Sequence, residues 1–343
     1  MQLSEFKYNL PKELIAQEPI AKRDTSSLLI VDRKQQSLKQ EVFKDITRYI
    51  RKGDIVVLND TRVLAARLLA RRKSGAQLEV LLLKEIQPQT WEVLVKPGKR
   101  AHLGDNLIFG DGSISAAVLD RTPAGGRLIK FNSPSVKKLI NKYGQMPLPH
   151  YIKKELKIPG RYQTIYAKHE GAVAAPTAGF HFTRSVLGKL SLKGARVVYV
   201  TLHCGLATFR PVKTTDIRNH PMESEAYEIS PQAARAINQA KVEGRRVIAV
   251  GTTVVRVLES AAFNNQKGVY QIKPQQTQTR LYIYPGYSFK IVDAFLTNFH
   301  LPDSTNLILV SAFAGMQFVR RAYQYAIDKR FRFYSFGDAM LVV

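Results

Sequence analysis

The stretch Ala174–Gly205 constrains the fold of this chain more than any other. It begins as a loop punctuated by Pro176 and Gly179 and continues into a short helix that Thr183 can cap through its hydroxyl. It then enters the apolar run Val197–Leu202, and a short run rich in β-branched residues is typical of a buried strand. The order loop, helix, buried strand predicts a domain of the α/β class.

Two histidines flank the helix and strand of this stretch. His181 lies just before the predicted helix, and His203 lies at the C-terminal end of the predicted strand. In an open α/β sheet both places lie beside the ligand crevice, so both histidines are candidate site residues. The alternative is that each satisfies backbone groups in a packed loop, and position alone leaves both interpretations open.

The chain carries a large positive net charge. Its 343 residues include 52 Lys and Arg against 27 Asp and Glu, which gives a net charge of +25. A surplus of this size attracts polyanions, so RNA or DNA is the first expected partner and an anionic membrane surface is the second. Solubility alone does not explain the charge, because it requires a net charge of only a few units.

The cysteine count and the N-terminus indicate a cytoplasmic protein. The single cysteine, Cys204, excludes an internal disulfide and a cysteine-rich zinc site, which suits a reducing cytosol. The opening residues Met1–Lys7 lack the apolar core of a signal peptide. No run approaches the roughly 18 apolar residues of a membrane span, so we expect no membrane partner.

Strand and helix patterns divide the chain into a discontinuous domain and an insert. Buried-strand patterns at Leu28–Val31, Ile55–Leu58 and Arg246–Val250 alternate with helical patterns, so residues 1–66 and 133–343 are predicted to form a mixed α/β domain. Residues 67–132 instead hold short strand-like runs separated by turn residues such as Gly110–Gly112. That pattern indicates an antiparallel barrel or sandwich, and we expect a small inserted β-barrel.

The insert has basic side chains in two clusters. They are Arg71, Arg72 and Lys73 on one segment and Lys96, Lys99 and Arg100 on another. Small barrels with a basic face commonly bind nucleic acid, so we predict RNA binding by these six residues. Trp91 and Phe109 could supply stacking platforms for bases, although a lone Trp in a small barrel more often packs in the core.

A polar cluster, Asn59–Val63, follows directly after the strand Ile55–Leu58. Strand ends are where α/β proteins place binding groups. Asp60 could bind ribose hydroxyls or an ammonium group, and Arg62 could grip a carboxylate or phosphate through two hydrogen bonds. The alternative is a turn held by Asx hydrogen bonds, with Asp60 and Arg62 forming a local salt bridge.

Further polar groups stand beside helices. The turn Gly251–Thr252 opens a helix, so its N–H groups and positive dipole end could receive a carboxylate or phosphate, such as a methionyl carboxylate. Tight strand–helix packing is the alternative there. Thr297, Asn298 and His300 converge just upstream of the apolar helix Asn306–Phe313.

Two other segments offer side chains for a nucleic-acid substrate or for proton transfer. Arg161, Tyr162 and Gln163 are residue types that read a purine through amide hydrogen bonds, ring stacking and phosphate contact. Glu225 and Glu228 belong to a carboxylate cluster that could include a general base or form a solvated strand edge. We favour function for Glu225 and the edge for Glu228.

The string Ala175–Thr183, Ala-Pro-Thr-Ala-Gly-Phe-His-Phe-Thr, resembles the signature of the S-adenosylmethionine:tRNA ribosyltransferase-isomerases, a family of queuosine-biosynthesis enzymes. Similar strings occur in the family's order at Asn59–Val63, Gly144–Pro149 and Arg161–Thr164, and about ten such motifs span nearly the whole chain. Departures are Cys204 in place of valine, Ala207 in place of glycine and Glu223 in place of histidine. The glycine change bears on close ligand approach at its turn.

The resemblance implies transfer of the ribosyl group of S-adenosylmethionine to a 7-aminomethyl-7-deazaguanine at the tRNA wobble position. Isomerisation of the ribose would give epoxyqueuosine, with adenine and methionine released. S-Adenosylmethionine would be a co-substrate, with no permanently bound cofactor and no metal. The macromolecular partner would be the anticodon stem-loop of a tRNA, and we expect a monomer.

The implied chemistry needs a base for the C5′–H acidified by the sulfonium, and a proton donor for adenine. Histidine suits both roles because its ordinary pKa lies near neutrality. The catalytic candidates are His181 and His300, then His203, with Glu225. The substrate-binding candidates are Asp60, Arg62, Arg161, Tyr162, Gln163, Thr177, Thr252, Arg256, Thr297 and Asn298.

Two other functions fit part of the pattern. A sulfonium-dependent RNA methyltransferase shares the ligand and the charge, but it needs a Gly-rich loop after the first strand, and Asn59–Arg62 is not such a loop. A non-catalytic RNA-binding protein would explain the net charge alone, but it gives no reason for polar clusters at several strand ends.

Overall fold

The computed structural model describes residues 1–123, 125–205, 211–265 and 268–343, which form two compact units. The first unit comprises Met1–Arg62, His150–His169 and Ala175–Val343. The second comprises Val63–Pro149 and Glu170–Ala174. The departure at Ala207 lies outside the described residues.

The strands of both units alternate with short helices. In chain order the strands are β1 (Ser27–Asp32), β2 (Ser37–Val42), β3 (Ile55–Asn59), β4 (Thr61–Val63), β5 (Arg67–Arg72), β6 (Gln77–Gln87), β7 (Thr90–Lys96), β8 (Asn106–Phe109), β9 (Ile114–Arg121), β10 (Arg127–Phe131), β11 (His169–Ala172), β12 (Arg196–Leu202), β13 (Glu225–Ile229), β14 (Val247–Val250), β15 (Ala262–Asn264), β16 (Tyr270–Ile272), β17 (Gln275–Thr279), β18 (Ala294–Asn298) and β19 (Ala339–Val342). The α-helices are α1 (Val136–Tyr143), α2 (Arg184–Leu192), α3 (Pro231–Val242), α4 (Thr252–Ser260), α5 (Thr305–Ala314) and α6 (Met316–Asp328).

Predicted helix caps are confirmed in the first unit. The hydroxyl of Thr183 accepts from the Val186 N–H at the start of α2, and Ser230 and Ser304 accept equivalent bonds at the starts of α3 and α5. Each bond satisfies one of the N–H groups that the first turn of a helix leaves without a partner. The loop that carries His181 is itself a 3-10 turn, Thr177–His181, directly before the Thr183 cap.

The main sheet has the strand order β17-β13-β12-β3-β14-β18-β19-β1-β2. Its centre is parallel: β12 and β14 both pair in parallel with β3, and β14 pairs in parallel with β18. All five residues of β3 are buried, as expected for a strand covered on both faces. The carboxyl ends of these central strands therefore meet at one edge of the sheet, which we call the C-terminal edge.

Strands on one side of the centre run in the opposite direction. β19 pairs antiparallel with β18, and β1 pairs in parallel with β19. The residues that precede β19 and β1, Asp338 and Ser26, are therefore at the C-terminal edge as well. Apolar residues from the sheet and its flanking helices, including Phe43, Leu58 and Phe182, form the core beneath that edge.

The second unit is a closed antiparallel barrel with the order β10-β7-β6-β5-β8-β9. Alternate residues face inward, and Phe109 and Phe131 meet in the barrel core at a ring separation of 5.3 Å. This unit is longer than the predicted insert, 67–132, because α1 packs its apolar face onto the barrel core. Phe109 is fully buried, so the stacking role considered for it is wrong; Trp91 packs against the core, as expected.

The expected combination of a mixed α/β domain and an antiparallel barrel is confirmed. Two central elements, β18 and β19, were not predicted as strands, and the strand expected at Thr279–Tyr284 ends at Thr279, the last residue of β17. Within the described ranges, no helix combines the length and apolar character that a membrane crossing demands.

Candidate active site

Polar residues follow each central parallel strand at the C-terminal edge. They are Asp60 after β3, His203 after β12, Thr252 after β14, and Thr297 with Asn298 at the end of β18. Because the strands are parallel neighbours, their ends bring these side chains to one side of the sheet. The sequence motifs that stood far apart along the chain are thus adjacent in the fold.

His181 is buried, and both of its ring nitrogens are engaged. Its Nδ1 lies 2.7 Å from the Ser26 hydroxyl, and its Nε2 lies 3.3 Å from the amide nitrogen of Asn298. Because that amide nitrogen can only donate, Nε2 accepts and the ring proton is on Nδ1, directed at Ser26. The ring also stacks on Phe43 at 5.0 Å. Burial, assisted by the positive charges of Arg23 and Arg332, lowers the pKa of His181 to about 3.

Asn298 links this histidine to the neighbouring loops. Its amide nitrogen also donates to the Tyr334 carbonyl at 3.1 Å, and its amide oxygen accepts from the Thr177 hydroxyl at 3.2 Å. Asn298 is 2% exposed, whereas Thr177 is only partly buried. The Thr177 hydroxyl is therefore the accessible end of a chain of contacts that begins at Ser26.

His300 is a second neutral histidine at the same end of the edge. Its Nε2 lies 2.8 Å from the hydroxyl of Thr297, which is itself 1% exposed. Its backbone is fixed on both sides, since its N–H donates to the Tyr323 hydroxyl and its carbonyl accepts from Tyr8. Although the residue keeps some exposure, burial of the ring lowers the pKa of His300 to about 3.

Asp60 occupies a different environment at the β12–β3 end. One carboxylate oxygen accepts from the Thr201 hydroxyl at 2.6 Å, and the other lies 3.6 Å from Nε2 of His169. The side chain borders a depression of about 650 Å³ along β12 that is also lined by Tyr166, Tyr199 and Glu228. A carboxylate, two aromatic rings and this volume suit a nucleoside.

His203 lies beside this depression with one ring nitrogen engaged. Its Nδ1 is 2.8 Å from the Thr61 hydroxyl, which can donate onward to the His169 carbonyl at 3.5 Å. Among the described residues, Nε2 of His203 has no hydrogen-bond partner. Burial and the nearby His169 lower the pKa of His203, while Asp60 and Glu228 oppose that shift.

Glu225 and Arg256 form a buried ion pair beside the start of α4. The second Glu225 oxygen accepts from the Gly205 N–H at 2.9 Å. The Arg256 guanidinium also donates to the carbonyls of Leu281 and Thr279. Both side chains are therefore committed to holding the segments around them. Thr252 borders the same small cavity at 8% exposure, and its hydroxyl has no hydrogen-bond partner among the described residues.

The predicted base-reading residues separate in the fold. Tyr162 is 0% exposed and packs between the rings of Phe180 and Phe336, which argues against the stacking role predicted for it. Burial raises the pKa of Tyr162 well above its ordinary value. Arg161 and Gln163, on either side of it, are only partly buried.

The remaining candidates are on exposed surface. Arg62 is exposed and forms no ion pair with Asp60, so the local salt bridge considered for it is absent from the described contacts. The expected Asx turn is present, but it comes from Asn59, whose side-chain oxygen accepts from the Thr61 N–H. In the barrel, Arg72 pairs with Asp105 at 2.8 Å, while Arg71, Lys73, Lys96, Lys99 and Arg100 are exposed.

The candidates share one edge but border separate depressions. Asp60 lines the depression along β12, Thr252 lines the cavity at the start of α4, and His181 lines a third, narrow one beside Arg161. Nowhere in the described chain do three or more His, Cys, Asp or Glu side chains come close enough to hold a metal ion.

Sequence reasoning missed the residues that hold the candidates in place. Thr201 positions Asp60, and Ser26 positions His181, across separations of 141 and 155 residues. The pairing of Val200 with Asn59 brings Thr201 beside Asp60. Nothing in a single sequence predicts that register.

Comparison with known proteins extends over both units. The family model described as "Queuosine biosynthesis protein" matches residues 3–342. An S-adenosylmethionine:tRNA ribosyltransferase-isomerase from Carboxydothermus hydrogenoformans is 52% identical over 344 residues, and one from Caldanaerobacter subterraneus subsp. tengcongensis is 50% identical over 345 residues; each match spans 100% of both chains. The crystal structure of an S-adenosylmethionine tRNA ribosyltransferase from Thermotoga maritima is 36% identical, with a TM-score of 0.55, and the match covers 99% of this chain and 100% of that one.

Proposed function

Because the chain belongs to the S-adenosylmethionine:tRNA ribosyltransferase-isomerase family, we propose that the C-terminal edge of its central strands carries that reaction. The enzyme is a transferase of queuosine biosynthesis. It transfers and isomerises the ribosyl group of S-adenosylmethionine onto 7-aminomethyl-7-deazaguanine at the tRNA wobble position, giving epoxyqueuosine and releasing adenine and methionine. The methyltransferase and non-catalytic alternatives are not favoured, since the family match spans both units.

The observation that carries the site proposal is the convergence of four parallel strand ends. Asp60, His203, Thr252 and Asn298 each follow or end one of these strands. The reaction requires a nucleoside, a methionyl group and an acceptor base to meet, and one edge with several neighbouring depressions suits three such groups.

The sulfonium substrate lies along the β12–β3 end in this proposal. Asp60 binds its ribose hydroxyls, with the carboxylate held in place by Thr201. The carboxylate also favours the positive sulfonium electrostatically. The methionyl carboxylate reaches the start of α4, where the Thr252 hydroxyl and the helix N–H groups are donors. Arg256 acts there by fixing neighbouring backbone, because its donors are already used.

We assign the proton transfer at C5′ to His203. Among the three candidate histidines it combines partial exposure with an Nε2 that no described residue occupies. His181 and His300, with pKa values of about 3, are neutral and hold Asn298 and Thr297 in position. Glu225 is ion-paired with Arg256, so it supports the cavity wall in this proposal.

The tRNA contacts involve both units. Arg161 and Gln163 approach the acceptor base from the first unit, together with the exposed Arg62. The barrel, as an inserted domain, supplies the exposed basic residues near Arg71 and Lys96 for the phosphate backbone. We propose a monomer that acts in the cytoplasm, where the tRNA substrate is modified.

Following two labels tests the function directly. Purified protein is incubated with acceptor tRNA and S-adenosylmethionine labelled either in the methyl group or in the ribose. Ribosyl transfer puts the ribose label in the RNA and leaves the methyl label in free methionine, with one adenine released per product. The matched control is tRNA with an ordinary guanine at the wobble position, which has no aminomethyl nucleophile. Methyl label in RNA, or adenine release that is independent of the acceptor, would contradict the proposal.

A further inference from the structure

Two arginines border the narrow depression beside His181. Arg23 donates to the carbonyls of Phe180 at 3.2 Å and Gly160 at 3.4 Å. Arg161 donates to the carbonyls of Ala21, at 3.0 Å, and Ile20. Each guanidinium has five N–H donors, so each keeps N–H groups beyond those two bonds. We call Arg23 and Arg161 the arginine pair.

The arginine pair lacks a counter-ion. Across the described ranges, no Asp or Glu side chain forms an ion pair with either guanidinium, although the protein's other half-buried arginines, such as Arg246, have one. The Nε–H of Arg161 is buried and has no partner. Burial and the repulsion of Arg161 both lower the pKa of Arg23, which shows that the two positive charges are close.

The surroundings of the pair suit a small oxyanion. The depression has a cavity volume of about 20 Å³, closer to one phosphate oxygen than to a nucleoside. Its floor is apolar: the rings of Phe180 and Phe336 stack at 6.1 Å, and the Arg23 guanidinium lies 5.5 Å from the Phe180 ring centre. An unpaired cation in low-polarity surroundings gains more from an anion than an exposed one does.

We propose that the arginine pair binds one phosphodiester of the tRNA anticodon loop, next to the wobble nucleotide. The two guanidiniums donate to the two non-bridging oxygens, a geometry that Arg presents better than Lys. The contact fixes the RNA backbone where the loops around residues 20, 160 and 180 meet. This inference rests on the proposed function for its RNA, and it adds Arg23 and a second role for Arg161.

A phosphodiester fits better than the carboxylate of S-adenosylmethionine. The segments that carry the pair also expose Lys22, Lys153 and Lys157, which extends the positive charge along the surface as a polyanion requires. The sulfonium substrate already has a place for its carboxylate at Thr252. The cavity is too small for more than the tip of an anion.

The salt dependence of RNA binding tests the phosphate contact. Binding of an anticodon stem-loop RNA is measured from about 50 to 200 mM KCl for the wild type, Arg23→Gln and Arg161→Gln. Each variant should bind about tenfold more weakly, the scale of a lost charged hydrogen bond. The slope of log Kd against log salt should fall by roughly 0.7, the value for one phosphate of a single strand. The KM for S-adenosylmethionine should stay within about twofold.

Matched variants separate this role from a structural one. Arg48→Gln removes the same charge from an exposed arginine paired with Asp45 and Glu41, and it should leave the slope unchanged. Arg23→Lys and Arg161→Lys keep a point charge for the phosphate but cannot make the same pair of carbonyl bonds. They should restore most of the slope, and they take the place of the Gln variants if those do not fold.

Three results would overturn the inference. One is an unchanged slope in the variants of both arginines. Another is a Lys variant that binds as weakly and with as low a slope as its Gln counterpart. The third is a raised KM for S-adenosylmethionine with unchanged RNA binding, which would assign the pair to the methionyl carboxylate. Wild-type adenine release is measured separately, so loss of the proposed function and loss of the phosphate contact remain distinguishable.

Discussion

The two ends of the C-terminal edge hold similar residue types in different states. At the β18 end, His181 and Asn298 are buried and hydrogen-bonded to one another. At the β12–β3 end, Asp60 and His203 adjoin an open depression, and His203 keeps a ring nitrogen that no described residue occupies. The residue types suggest catalysis at both ends, but only the second end offers a proton acceptor that a substrate can reach.

Desolvation explains the difference. Moving a protonated imidazole out of water is unfavourable, so a buried ring without a carboxylate partner stays neutral. Positive neighbours, Arg23 and Arg332, strengthen this effect for His181. His203 is less buried, and the carboxylates of Asp60 and Glu228 partly offset the shift. Its pKa therefore stays closer to the range where proton transfer is efficient at neutral pH.

The largest expected effect is on His203. His203→Ala should lower kcat about a thousandfold, within the range for loss of an acid–base group, while RNA binding changes less than about twofold. His181→Ala should cost less, because His181 acts through Asn298. The base must be neutral and the pKa of His203 is lowered, so kcat in the wild type should fall as the pH drops below the ordinary histidine value of 6.5. Single-turnover adenine release against pH measures both effects.

His102→Ala is the control for that experiment, since His102 is an exposed barrel residue. It should keep full activity and the wild-type pH profile. Should His181→Ala lose more activity than His203→Ala while still folded and binding RNA, the comparison between the two ends would be reversed.

The next effect concerns stability against pH. The pKa of His181 is about 3 in the folded protein and 6.5 in an exposed chain. Between these values the unfolded chain binds a proton that the folded chain does not, so the free energy of unfolding falls as the pH drops below about 6.5. The slope is about 1.4 kcal/mol per pH unit for each such histidine, or about 2 kcal/mol lost between pH 6.5 and pH 5.

His181→Gln should remove that share of the acid sensitivity. Its unfolding free energy, from urea titrations at pH 7 and pH 5, should fall about 2 kcal/mol less than that of the wild type, whatever its stability at pH 7. His102→Gln should leave the pH dependence unchanged. Equal acid sensitivity in His181→Gln and the wild type would mean that His181 is not buried and neutral.

The sequence predicts much of the fold because its strongest patterns are local. Caps such as Ser230 and Ser304 and apolar runs such as Ile55–Leu58 determine their elements without distant contacts. β5 was missed as a strand because its arginines obscure the alternation of buried and exposed positions. β18 and β19 were missed because polar loops and aromatic residues adjoin them, and only their pairing in the sheet identifies them.

The site was predictable in composition but not in state. Strand ends indicated Asp60, His203 and Asn298 correctly as neighbours of one edge. The sequence does not tell which histidine is buried, because burial depends on how loops from distant segments cover the edge. Ser26 and Phe43 enclose His181 from more than 130 residues away. Positions in a sequence therefore predict where chemistry can occur, and solvation decides which group performs it.

The smallest expected effect extends the comparison from the edge to the barrel. Replacing Lys96, Lys99 and Arg100 together by Gln should weaken binding of the anticodon stem-loop RNA about fivefold and lower the slope of log Kd against log salt by roughly 1 to 2, because exposed cations each contribute little and are screened. With saturating RNA, kcat should stay within about twofold of the wild type, in contrast to the edge variants. The matched control replaces Lys84, Arg121 and Lys130, which are also exposed barrel cations, by Gln. If that triple weakens binding as much as the first, the barrel attracts RNA by its overall charge, and the clusters around Arg71 and Lys96 are not a specific surface.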